Sequence, residues 1–163
     1  MVTGSAIDLS ETEKAYLAGF LDGEGCIFIS KYIYKKRKTR NPSYSLSISV
    51  SQTEVSILDY WKDKTELGNI YPQHRVVKGI GETMTYNWVI TSRKAGALLR
   101  CLYKYLILKK EQADIALRFL DSIVPNNKHL TKDELAFREE CYREIMSKKT
   151  KNNTYKTKLK LKD

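Results

Sequence analysis

From Ser10 to Asp22 the apolar residues recur at helical spacing, with Leu17, Phe20 and Leu21 on one stripe. Ser10 with Glu13 forms a capping box, which predicts a helix over about Glu11–Asp22. A neighbouring stripe, Ala15, Ala18, Gly19 and Asp22, is made almost entirely of small residues, so a second helix could approach until the backbones nearly touch. Gly19 costs about 1 kcal/mol of helix stability relative to alanine, which close packing would offset.

After Gly25 the period changes to alternation. Ile27, Ile29 and Ile33 take one face; Cys26, Phe28, Ser30, Tyr32 and Tyr34 take the other. A basic turn, Lys35 to Pro42, leads into a second strand, where Tyr44, Leu46, Ile48 and Val50 alternate with Ser43, Ser45, Ser47, Ser49 and Ser51. Thr53 is placed to cap a helix over about Glu54–Glu66, with Val55, Leu58 and Trp61 inward and Leu67-Gly68-Asn69 as its stop. A second hairpin is predicted over about Ile70–Val77 and Met84–Thr91, turned at Lys78-Gly79-Ile80-Gly81. There Tyr71, Gln73 and Arg75 alternate with Ile70, Pro72 and His74, and Pro72 marks an edge strand or bulge. Thr85, Asn87 and Val89 alternate with Tyr86, Trp88 and Ile90.

Ser92 is placed to cap a helix reaching about Tyr105, with Ala95, Leu98, Leu99 and Leu102 inward. A helix over about Lys109–Ile123 carries the stripe Ala113, Ala116, Leu117 and Leu120. Thr131 with Glu134 opens a last helix over about Lys132–Lys148. The order is α+β, it occurs once, and no internal repeat is present. Residues 1–148 read as one domain and 149–163 as a flexible basic tail, either simply solvated or a DNA-contacting arm.

A length of 163 residues suits one domain, and a 42% hydrophobic fraction is ordinary for a globular protein. The net charge of +10 points to a polyanionic partner, nucleic acid or an anionic membrane surface. No apolar run could span a bilayer, and the free amphipathic face that a membrane-surface helix needs is missing. Met1–Ile7 shows no secretory signal, and Cys26, Cys101 and Cys141 have neither disulfide-framework nor metal spacing, so the expected location is intracellular.

Two features carry candidate chemistry. Asp22 and Glu24 sit at a helix C-terminus, whose partial negative charge disfavours them. Either they are solvated acids at a glycine-rich cap, or two copies of this end converge and recruit a hard cation such as Mg²⁺ or Ca²⁺. The serine and tyrosine face of the sheet is either an ordinary solvated face or, as its ladder of hydroxyls beside a basic turn favours, a surface for a polar ligand.

Leu17–Gly25, LAGFLDGEG, resembles the LAGLIDADG motif of homing endonucleases. It matches the first three positions, the acids at the sixth and eighth and the closing glycine; Phe20, Gly23 and Glu24 stand where the motif has Leu, Ala and Asp. Later features in the right order extend the resemblance over most of the chain. It implies an αββαββ core whose antiparallel strands form a saddle over the DNA major groove, with additional C-terminal helices. It further implies an intron-encoded, site-specific endonuclease cutting both strands of a long pseudo-palindromic site.

A single motif implies a homodimer joined through Ala15, Ala18, Gly19 and Asp22, with Asp22 matching the motif's other acid, a structural one that satisfies helix ends at that interface. Glu24 and the Gly23 carbonyl fall at the family's metal position, for Mg²⁺, with Mn²⁺ substituting and Ca²⁺ binding without cleavage. Gln52 matches a water-orienting residue, and Lys109 the lysine of a KxxQA-like segment. Ser56 stands where some homodimeric relatives have an additional basic residue. Base recognition is expected from Phe28, Ser30, Tyr32, Tyr34, Lys36, Arg37, Ser45, Ser47, Ser49, Tyr71, Gln73, Arg75, Thr85 and Asn87. Lys36, Lys38, Arg40, Lys78 and Arg93 suit phosphates. The host would be a prokaryote or an organelle. The alternatives are an RNA maturase acting on intron RNA and a catalytically silent DNA-binding protein.

Overall fold

The structure is a computed structural model, described for residues 7–34, 41–77, 79, 81–123 and 130–151; of Arg75, Val77 and 149–151 only the backbone is described. The elements are α1 (Glu11–Glu24), β1 (Gly25–Tyr32), β2 (Ser43–Gln52), α2 (Ser56–Thr65), β3 (Asn69–Val77), β4 (Gly81–Thr91), α3 (Ser92–Leu102), a 3₁₀ turn (Tyr103–Tyr105), α4 (Lys110–Asp121) and α5 (Lys132–Lys151). No helix among the described residues is long and apolar enough to cross a membrane.

The strands form one antiparallel sheet in the order β1-β2-β4-β3, which places Pro72 on an edge strand, where proline is tolerated. The register sets Ile27 against Ile48 and Ile29 against Leu46, then Ile48 against Ile90 and Val50 against Trp88. One face is therefore continuously apolar, and the helices cover it. Leu17 and Leu21 of α1, Leu58 and Trp61 of α2, Leu98 and Leu99 of α3 and Phe119 of α4 are all fully buried. Trp61 stacks obliquely on Trp88 at 5.1 Å between ring centroids, and Phe20 lies 6.2 Å from Trp61. The loop Leu67–Gly68 closes over that pair: Trp88 Nε1 donates to the Leu67 carbonyl at 2.9 Å. Gly68, at φ +80°, leaves only 2.5 Å between an added Cβ and the same Nε1.

The expected capping boxes form, Ser10 with Glu13 and Thr131 with Glu134. Two other caps do not. Helix α2 starts at Ser56 rather than after Thr53, because the Glu54 carboxylate accepts the Ser56 N–H at 3.4 Å. Helix α3 has Thr91 at its N-cap without a side-chain bond, and the Ser92 hydroxyl lies 3.2 Å from that of Ser45. On α4 the fully packed residues are Ala113, Ile115, Ala116 and Phe119, with Leu117 and Leu120 only half-buried. The stripe is displaced because α4 packs against α3 on one side and α5 and the sheet on the other. Helix α5 continues three residues past the expected boundary at Lys148, and 152–163 lie outside the described residues. Ile33, expected inward, follows the end of β1 and is exposed.

Candidate active site and nucleic-acid interface

Helix α1 ends where the chain turns directly into β1. Gly25 makes this junction possible: a Cβ there would lie 2.3 Å from Leu21 Cδ1 and 2.7 Å from the Leu21 carbonyl oxygen, to which the Gly25 N–H donates. The sharp stop separates the two motif acids. Asp22, one residue past the buried Leu21, is turned inward with 8% of its surface exposed, whereas Glu24 is exposed.

Asp22 is held by a segment 85 residues further along the chain. Its carboxylate accepts the backbone N–H of Ile107 at 2.7 Å, Leu108 at 3.2 Å and Lys109 at 2.9 Å. Lys109 occupies the N-cap of α4, and its ammonium donates to the Asp22 backbone carbonyl. Lys109 is half-buried; that burial lowers its pKa, against the opposing pull of Asp22, Cys26 and Glu24. Gln52 is the last residue of β2, half-buried opposite Tyr86. It lies two positions beyond the Val50–Gly25 pair and hence beside the end of α1.

The small stripe on α1 divides. Ala15 and Gly19 are exposed, as is Gly23, and a Cβ added at either glycine meets nothing within 4 Å. Ala18 and Asp22 are buried within the subunit, so neither offers a surface for a second helix. They fall on the side of α1 that packs against α3 and the 3₁₀ turn. The sequence reading also missed Ile107 and Leu108, 82% and 75% exposed although apolar, whose backbone N–H groups are two of the three donors to Asp22. Their backbone role is invisible locally, since the carboxylate that accepts from them lies 85 and 86 positions away in sequence.

The sheet face away from the helices carries the expected contact residues in rows: Phe28–Ser47–Thr91, Ser51–Asn87–Tyr71 and Thr85–Gln73. Tyr32 and Tyr71 are its most exposed rings, at 63% and 52%. Several hydroxyls are spent within the sheet: Ser51 donates to Asn87 at 3.1 Å, Thr85 to the Gln73 carbonyl and Ser30 to the Ser45 carbonyl. Ser47 is a correction. Between Phe28 and Thr91 it is buried, at 5% exposure, and presents no hydroxyl to a ligand. Lys36, Arg37, Lys38, Arg40 and Lys78 lie outside the described residues, as does the side chain of Arg75.

Over residues 17–119 the chain matches the family model described as LAGLIDADG endonuclease. Among solved structures it is similar to the homing endonuclease I-CvuI in complex with its target, at 22% identity and TM-score 0.69, covering 84% of this chain and 82% of that one. It is similar to the archaeal intron-encoded homing endonuclease I-Vdi141I complexed with DNA, at 20% identity and TM-score 0.69, covering 85% and 84%. Against I-SmaMI, bound to uncleaved DNA target in the presence of calcium ions, identity is 22% and TM-score 0.62, and 85% of this chain covers 45% of that one. No curated protein matches it in sequence. The motif at the end of α1, the helix-covered four-stranded sheet and a family match spanning both establish that the chain belongs to the LAGLIDADG endonuclease family.

Proposed function

We propose that the chain is a site-specific DNA endonuclease acting as a homodimer, with Mg²⁺ at the paired ends of two α1 helices. The observation that carries this is the end of α1, where an exposed Glu24 stands beside Gly23 and two residues from Asp22, whose backbone carbonyl holds the Lys109 ammonium. The exposed Ala15–Gly19–Gly23 line leads to that point along a face open to a second helix. I-SmaMI, bound to its DNA target, has a chain about twice as long as the part this chain matches, which is the length two copies of this chain would supply.

The donors fit a hard divalent cation. Asp22 is already engaged by backbone N–H groups, which leaves the Glu24 carboxylate and the Gly23 carbonyl as oxygen donors. No group of three His, Cys, Asp or Glu side chains able to hold a metal occurs among the described residues. A full shell therefore draws on the second subunit's copies of these donors and on phosphate oxygens. Bound there, Mg²⁺ would stabilise charge on the phosphate and lower the pKa of a water. Mn²⁺ is expected to substitute, and Ca²⁺ to support binding without cleavage.

The chain's own groups do the rest. Lys109 brings a fixed positive charge to the scissile phosphate, where charge develops during hydrolysis. The Gln52 amide orients an attacking water. Tyr32, Tyr71, Gln73 and Asn87 present donors, acceptors and rings to base edges, and the net charge of +10 supplies salt-dependent affinity. Glu24 and Lys109 together favour cutting over silent DNA binding or assistance to intron splicing. The test is selection from a randomised duplex library with Mg²⁺. Double-strand ends at one pseudo-palindromic site support the proposal; selective binding without ends overturns it.

A further inference from the structure

Resting on Lys109 as the catalytic lysine, we infer that Asp22 is a positioning residue for cleavage, which sets Lys109 by clamping the backbone of Ile107–Lys109 across the end of α1. Three N–H donors converge on one buried carboxylate, at 2.7, 3.2 and 2.9 Å. Hydrogen bonds to an ionised acceptor are the strong kind, and three on one group leave the segment little freedom. Helix α4 has no side-chain cap of its own at Lys109, so Asp22 caps it from outside.

The clamp is reciprocal, because the Lys109 ammonium returns to the carbonyl of Asp22 itself. Both ends of the lysine, its backbone N–H and its Nζ, are thereby referenced to the residue two before Glu24. Asp22 is turned inward and occupied by these N–H groups, whereas Glu24 is exposed. Its part is to make the Lys109–Glu24 spacing a property of α1 rather than of a loop. Loosening the clamp misplaces a charge that must sit within ångströms of the reacting phosphate, and a 1 Å misplacement costs on the order of 100-fold in rate.

The experiment is a double-mutant cycle on a cleavable duplex: wild type, Asp22→Asn, Lys109→Met and the double variant, each with single-turnover rate, duplex Kd in Ca²⁺ and thermal melt. The expected result is a fall of about 10- to 100-fold in rate for Asp22→Asn, with Kd within about threefold. In the Lys109→Met background the same substitution then costs nothing further, because its route runs through Lys109. A purely structural role would lower the rate by the same factor in both backgrounds, and that outcome overturns the inference. So does Asp22→Asn cutting at the wild-type rate. If Lys109→Met itself cuts normally, the inference falls with its premise, while wild type that never cuts refutes the nuclease reading instead. Should Asp22→Asn fail to fold, Leu108→Pro deletes the longest of the three N–H bonds, keeps the carboxylate, and enters the same cycle with the same two outcomes.

Discussion

Replacing Gly19 by alanine separates what the subunit wants from what the dimer wants. Gly19 is exposed in the middle of α1, and an added Cβ has nothing within 4 Å. In an isolated subunit the methyl therefore fits, and the helix gains about 1 kcal/mol from the lower backbone entropy of alanine. For a chain of this size that raises the melting temperature by roughly 2–4 °C. In a dimer whose α1 helices touch along Ala15, Gly19 and Gly23, each subunit adds one methyl to the contact. Overpacking costs about 1–3 kcal/mol per site, hence about 2–6 kcal/mol for the symmetric pair, or a roughly 30-fold or greater loss of dimer affinity. Sedimentation equilibrium gives the dimer constant, and denaturant melts below that constant give subunit stability. A variant that is more stable as a monomer and weaker as a dimer is the expected result. Unchanged dimer affinity would refute the contact along this face, because two methyls cannot enter a backbone-close helix crossing without cost.

Two stability predictions concern the frame of the site. Gly68→Ala forces a side chain at φ +80° into Trp88, with Cβ 2.5 Å from Nε1, and should cost about 3 kcal/mol or more, read from urea midpoints at unchanged m-value. Glu139 ties α5 to the sheet through Lys31 at 2.6 Å and Tyr44, and also accepts from Arg143 of its own helix at 3.0 Å. The hydrogen bond from Lys31, and then that from Tyr44, hold the Glu139 pKa at about 2 against an ordinary 4.5. A depressed carboxylate stabilises the fold above its unfolded pKa, so this contribution is complete above about pH 4.5 and is lost as pH falls towards 2. Melts of wild type and Glu139→Gln should differ at pH 6 and converge as pH approaches 2; a gap that persists there contradicts the assignment.

Much of this architecture was written in local pattern. The alternation of Tyr44, Leu46, Ile48 and Val50 against serines specified a one-sided sheet, since a slip of one residue would invert every side chain. Leu17 with Leu21, and Ser10 with Glu13, specified α1. What local pattern could not show is that the backbone of Ile107–Lys109, 85 to 87 positions away, holds Asp22. Asp22, which the resemblance gave as a structural acid satisfying helix ends, does so at the start of α4 within its own subunit, through backbone N–H groups that every residue type but proline carries. Thr53 and Ser92 are good cap residues displaced by competitors, Glu54 in one case and the Ser45 contact in the other. Ser47 reads as a ligand hydroxyl in sequence, yet Phe28 and Thr91 on either side bury it. Helix α4 misled the periodic reading because it packs on two sides, and a stripe rule assumes one.

The measurement that bears most directly on the account is single-turnover cleavage of the selected duplex by wild type and Glu24→Gln with Mg²⁺, alongside duplex affinity in Ca²⁺. The substitution keeps the shape of Glu24 and removes the charge that holds the cation. Double-strand cleavage by wild type, a loss of about 1,000-fold or more in the variant, and affinity within about threefold are predicted. Cleavage by Glu24→Gln at a rate near wild type would contradict the placement of the catalytic metal at the end of α1.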